Sequence, residues 1–152
     1  MKLEFYDLLE GNDEFCCVLG KIMLVASKLE ILLKQYLRLH VSEVSEKRAT
    51  LGNLIKILKD NGHLTRNGEI HFSQANMQRN YLIHNLYGSF VNEIEQALLP
   101  VENLVDMDIE VYIEKALQTV ENFHSYTDLV SRAIQKHNNH SQQDAPDVAP
   151  LL

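Results

Sequence analysis

The 152-residue sequence is most informative at first through what it lacks. No run of eighteen or more apolar residues occurs, because Lys21, Lys28, Glu30 and Lys34 interrupt the most hydrophobic stretch, which argues against a membrane span. Met1 to Glu14 is acidic and has neither the basic start nor the apolar run of a secretory signal, so a cytoplasmic protein is expected. The only two cysteines, Cys16 and Cys17, are adjacent, a spacing that closes no loop and suits no metal; they read as reduced helix residues. Glycine loops that cradle phosphate, zinc-ligand spacings and Ser-His-Asp nucleophile motifs are also missing, so no cofactor and no metal site is expected.

What is present is a helical pattern. With 45% apolar and 23% charged residues, the composition is that of an ordinary globular protein. A short helix is predicted over Lys2 to Leu9, and Asn12 or Asp13 can cap a long second helix reaching about His40. Val18, Ile22, Val25, Leu29, Leu32 and Tyr36 follow the 3-4 spacing of a buried stripe there, and Leu19, Met23, Ala26, Leu33 and Leu37 widen it. Thr50 caps a third helix with Leu51, Leu54, Ile55 and Leu58 on one face, stopped by Asp60-Asn61-Gly62. The stretch from His63 to Phe72, with Arg66-Asn67-Gly68, reads as a loop or small hairpin. Ser73 then caps a fourth helix extending towards Leu99, with Gly88 as a point of kinking. A fifth carries Ile109, Ile113, Ala116, Leu117, Val120, Phe123, Val130 and Ile134. The expected architecture is all-α, an up-and-down bundle of about five helices in one domain over residues 1–136. Residues 137–152 lack periodicity and read as a disordered tail, in which His137 and His140 are ordinary polar residues.

The net charge of -7 hides a division. Residues 15–92 carry ten Lys/Arg against five Asp/Glu, a local charge of +5, whereas the rest of the chain carries -12. The basic middle removes the objection that an acidic protein repels nucleic acid, although helices commonly carry such charges on solvated faces.

The residues suited to chemistry lie in the fourth helix, at Arg79-Asn80-Tyr81-Leu82-Ile83-His84. At 100° per residue Asn80 and His84 share a stripe and Arg79 lies on the neighbouring one, so Arg79 and His84 can point into one pocket. A histidine near neutrality can take the proton of a ribose 2'-hydroxyl, while an arginine stabilises charge growing on the phosphate and an asparagine holds an oxygen by hydrogen bonds. That chemistry needs no metal, and a two-fold partner supplying the same residues would double the donors. The spacing alone is not selective: Arg66 to His71 and Arg132 to His137 repeat it. Arg66 is placed in the predicted loop and Arg132 where the fifth helix runs into the tail, so context favours Arg79.

These residues resemble the HEPN family. Arg79-Asn80-Tyr81-Leu82-Ile83-His84 matches its R-[polar]-x3-H motif, Leu51-Gly52-Asn53-Leu54-Ile55 its preceding helix start, and the helix order agrees over about residues 12–135. The resemblance implies a helical bundle, often homodimeric, and a metal-independent endoribonuclease acting as the toxin of a toxin-antitoxin or antiviral system. Its active-site residues would be Arg79, Asn80 and His84, its substrate RNA, and its partner a cognate antitoxin, of nucleotidyltransferase or another type. Glu30 is a candidate ionic partner orienting Arg79, with a solvated helix charge as the alternative. The HepT-like branch carries a modifiable tyrosine two residues beyond the histidine; this chain has Leu86 there and Tyr87 one further on, which reads as a half-buried ring with its hydroxyl at the surface. Two other readings remain open at this level: a non-catalytic HEPN-like module that binds a nucleotide or protein partner, and a purely structural Arg79/His84 pair in an oligomerising domain.

Overall fold

The computed structural model describes residues 2–41, 49–84, 106–141 and 151–152; within these spans the side chains of 2–5, 81–84, 106–109, 111–112 and 141 are not described. The described residues form an all-α bundle of five helices: α1 (Lys2–Glu10), α2 (Asp13–His40), α3 (Leu51–Asp60), α4 (Arg66–His84) and α5 (Asp106–Ser141). None of them is long and apolar enough to cross a membrane.

The helix starts follow from capping chemistry. Asn12 sits in extended backbone and its side chain accepts the Phe15 N–H at 2.8 Å, satisfying one of the first-turn donors of α2. Asp13 and Glu14 in the first turn and Arg38 and His40 in the last complement the helix dipole. Thr50 does for α3 what Asn12 does for α2, accepting from Asn53 N–H at 3.4 Å. The turn that follows α3 contains Gly62, whose φ of +70° is the left-handed conformation glycine adopts without strain. The His63 N–H then closes back on the Leu58 carbonyl at 2.9 Å, and the Gly62 N–H on that of Lys59 at 3.0 Å.

Two boundaries differ from the sequence-based expectation. The segment expected as a loop or hairpin from His63 to Phe72 is helical from Arg66 onward, and the cap is Thr65 rather than Ser73. Thr65 Oγ1 accepts the Gly68 N–H at 2.9 Å, so the Arg66-Asn67-Gly68 run is the first turn of a helix and not a hairpin turn. At the other end, α5 continues through Ser141, past His137 where a tail was expected, and His140 Nδ1 lies 2.7 Å from the Lys136 carbonyl one turn back. Leu152 is 2% exposed and belongs to the core. Residues 142–150, and the expected continuation of α4 to Leu99 with its kink at Gly88, lie outside the described residues.

α2 and α5 are the two longest helices, about 42 and 54 Å at 1.5 Å per residue, and they form the main packing pair. They run parallel: Phe15, Val18 and Ile22 cluster with Ile113, Ala116 and Val120, whereas His40 meets His137 at the opposite end. α4 runs the other way, since its Arg79 reaches Glu30 midway along α2 while the turn before it meets the end of α2 through His63 and Tyr36. The larger core lies between these helices and α3. Leu29, Leu33, Tyr36 and Leu37 of α2 are packed there with Leu54 and Leu58 of α3, Phe72 and Ala75 of α4, and Phe123 and Val130 of α5. Every residue of the expected α2 stripe is buried except Leu32, which packs partly against the core; of the second row, Met23 is exposed. Full burial of side chains of this size contributes about 1.5–3 kcal/mol each, which makes this α2–α3–α4–α5 layer the rigid base for whatever α4 carries.

Candidate functional site

Arg79 lies on the part of α4 that faces α2, four helix residues beyond buried Ala75. Its guanidinium Nη2 is 3.5 Å from Glu30 Oε1, and both side chains are largely covered, at 26% and 20% exposure. Glu30 is thus an ionic partner of Arg79, and not simply a solvated helix charge. Arg79 Nη1 also donates to Asn80 Oδ1 at 3.4 Å. The Asn80 bond uses one of the five N–H donors that a guanidinium presents in a fixed fork.

A carboxylate on one helix, an arginine on another and an exposed asparagine beside it therefore form a connected polar edge on α2 and α4. Shielding from water strengthens the Glu30–Arg79 attraction above that of a surface pair. His84 is the last described residue of α4, in unbroken helix with Asn80 and Arg79, one turn beyond the former. Its side chain is outside the described residues, as is Tyr87 altogether.

The context argument for choosing Arg79 over the other two Arg-x4-His pairs changes. Arg66 and His71 are both in α4, and Arg132 and His137 both in α5, so all three pairs are helical. What separates them is the neighbourhood. Arg66 is exposed near the start of α4, and His71 stacks on Tyr126 with ring centres 5.9 Å apart. Arg132 is exposed and bonds the Asp128 carbonyl of its own helix at 3.3 Å. Among the described residues only Arg79 of the three joins a carboxylate on a different helix.

A second polar cluster escaped the sequence. Where α2 ends, the α3–α4 turn and α5 bring together Tyr36, His40, His63 and His137, with ring centres 4.4 Å apart for Tyr36–His40, 5.6 Å for Tyr36–His63 and 4.6 Å for His40–His137. Tyr36 Oη and His63 Nδ1 share a hydrogen bond of 3.2 Å. Burial pushes the Tyr36 hydroxyl up to about 12 and lowers the His63 imidazole below its ordinary range. The sequence signals only the Tyr36–His40 part, as an i, i+4 pair on one helix face; His63 and His137 arrive through tertiary packing. Among the described residues, no group of three or more His, Cys, Asp or Glu is arranged to hold a metal ion. His137, expected in a tail, is instead a partly covered member of this cluster.

Comparison of the chain with protein-family models, curated proteins and solved structures returns no match.

Proposed function

We propose that the protein is a metal-independent endoribonuclease of the HEPN type, acting in the cytoplasm as the toxin of a toxin-antitoxin or antiviral system and working as a homodimer. The observation that carries the proposal is the shielded Glu30–Arg79 ion pair. It pairs a guanidinium on α4, five residues before His84, with a carboxylate on α2. Supporting features are the contact of Arg79 with Asn80, the basic balance of residues 15–92 and the match of Arg79 to His84 to the R-[polar]-x3-H pattern.

In this mechanism His84 takes the proton of the ribose 2'-hydroxyl as the 2'-oxygen attacks phosphorus. The bond to the 5'-oxygen breaks, and that oxygen leaves with a proton from the second His84 of the dimer. The products are a 2',3'-cyclic phosphate and a 5'-hydroxyl. Arg79 stabilises the charge that accumulates on the non-bridging phosphate oxygens, and Glu30 keeps its fork oriented. Asn80 holds a phosphate oxygen or the nucleophile. A cognate antitoxin, of nucleotidyltransferase or another kind, restrains the activity.

The test is RNA cleavage by purified protein in EDTA. Arg79→Ala and His84→Ala are each expected to reduce cleavage by about 100-fold or more while circular dichroism retains the helical signal. Undiminished cleavage in both variants, or the absence of cleavage by the wild type, overturns the proposal. Stable variants that lose a bound nucleotide or protein instead would mark a binding module.

A further inference from the structure

The corner where α3 turns into α4 holds Leu151–Leu152, and the contact there is built from three separate elements. Leu152 is 2% exposed and lies in the same buried cluster as Leu58 and Phe72, while Leu151 remains 55% exposed. The Leu152 N–H donates to the His63 carbonyl at 2.9 Å, and the Thr65 N–H donates to the Leu152 carbonyl at 2.6 Å. These two bonds bracket Leu64 in the manner of one rung of a parallel β-ladder, the pairing by which an added strand is recognised. The Leu152 carbonyl is thereby set against the first turn of α4, where the positive end of the helix favours an oxygen.

Gly68 is the third element. A Cβ at this position would stand 2.6 Å from the Leu152 carbonyl carbon and closer still to its oxygen. Glycine inside a helix costs about 0.5–1 kcal/mol relative to alanine, and Gly68 has no positive φ to account for it. The backbone of α4 is thus left bare at the one place where the Leu152 carbonyl lies on it.

We propose that the corner formed by His63, Leu64, Thr65 and Gly68 is a peptide-recognition site, and that its occupant is Leu151–Leu152 of the same chain. The site reads one buried leucine side chain between two backbone hydrogen bonds. Because the occupant is covalently tethered, its effective concentration is in the millimolar range expected for short linkers, and an added segment of the same chemistry binds only by displacing it. The inference does not depend on the nuclease proposal, since it uses neither Arg79 nor His84.

The probe is a fluorescent peptide of residues 143–152, acetylated and amidated, followed by anisotropy against full-length protein. Leu152→Asp vacates the site, and this variant is expected to bind the peptide at least about tenfold more tightly than the wild type, whose site is filled. A peptide carrying Leu152→Asp is expected not to bind, and adding Gly68→Ala to the vacated protein is expected to abolish binding. Equal binding of the two peptides, or binding insensitive to Gly68→Ala, overturns the proposal. Should Leu152→Asp fail to fold, amide exchange decides on the wild type against Gly68→Ala alone. The Thr65 amide is expected to exchange at least about tenfold faster in Gly68→Ala while core amides such as that of Phe123 are unchanged, and an unchanged Thr65 rate overturns the proposal.

Discussion

The two ends of the bundle are built from the same long helices but are held differently. At one end, four helices and Leu152 converge on Leu29, Leu33, Tyr36, Phe72, Phe123 and Val130. At the other, among the described residues, only the nine-residue α1 joins α2 and α5, and the buried set is Leu9, Phe15, Val18, Ile22, Ile113, Ala116 and Val120. Both sets contain fully buried phenylalanines, so side-chain burial at a single position does not distinguish them. The number of elements that must separate to expose that position does. The Glu30–Arg79 pair lies between the two, tied to the larger cluster through Ala75 and Phe72 on α4.

The strongest break in this comparison is a matched pair of truncations. Phe123→Ala and Phe15→Ala remove the same side chain from positions 0% and 1% exposed. Both are expected to destabilise by about 3–5 kcal/mol, with Phe123→Ala at the upper end because its four-helix surroundings relax less. Urea unfolding checks this, and equal losses would remove the distinction. Next in size is Glu30→Gln, expected to cost about 1–2 kcal/mol, between the values for exposed and buried ion pairs. It should also lower kcat for RNA cleavage by about tenfold with little change in KM, since it disorders Arg79 without touching substrate. Asn12→Ala is expected to cost about 1 kcal/mol by removing the cap of α2. If the α1 end opens independently, hydrogen exchange should show that loss in residues 15–22 and not in residues 29–37.

The smallest effect concerns pH. His63 has a folded-state pKa below the ordinary value near 6.5, so the unfolded chain takes up a proton first as pH falls. The stability of the larger cluster is therefore full above about pH 6.5 and declines as the pH drops below it. Tyr36 and His40 pack against this imidazole, with His137 beyond His40, and burial is what opposes its charging. Thermal unfolding of wild type against His63→Gln at pH 7.5 and pH 5.5 measures the decline; a variant equally sensitive to acid would assign it elsewhere.

The parts of the fold that were legible in the sequence are those decided locally. Asn12 and Thr50 announce α2 and α3 because a cap is a contact between residues three apart. The start of α4 is also set by a contact three residues long, Thr65 Oγ1 with the Gly68 N–H, but Arg66-Asn67-Gly68 has the composition of a turn and hid it. The end of α5 was missed because its last turn, beyond His137, has no apolar period to read although the backbone continues as helix. At the candidate site, Arg79, Asn80 and Glu30 could be nominated from spacing and from the apolar stripe around Glu30. The neighbourhood that separates Arg79 from Arg66 and Arg132 is tertiary. So is the histidine cluster, whose members are 23 and 74 positions apart along the chain between His40, His63 and His137.

Gly68 carries an evolutionary consequence. In a lineage that kept this bundle but lost the leucine at position 152, nothing would hold glycine at position 68, and drift towards alanine would strengthen α4 at no steric cost. The two positions are therefore expected to vary together among descendants of this chain, although no ordinary measure of sequence proximity would pair them. A glycine at 68 would then serve as a marker, readable without coordinates, of which relatives still fill the corner with their own leucine.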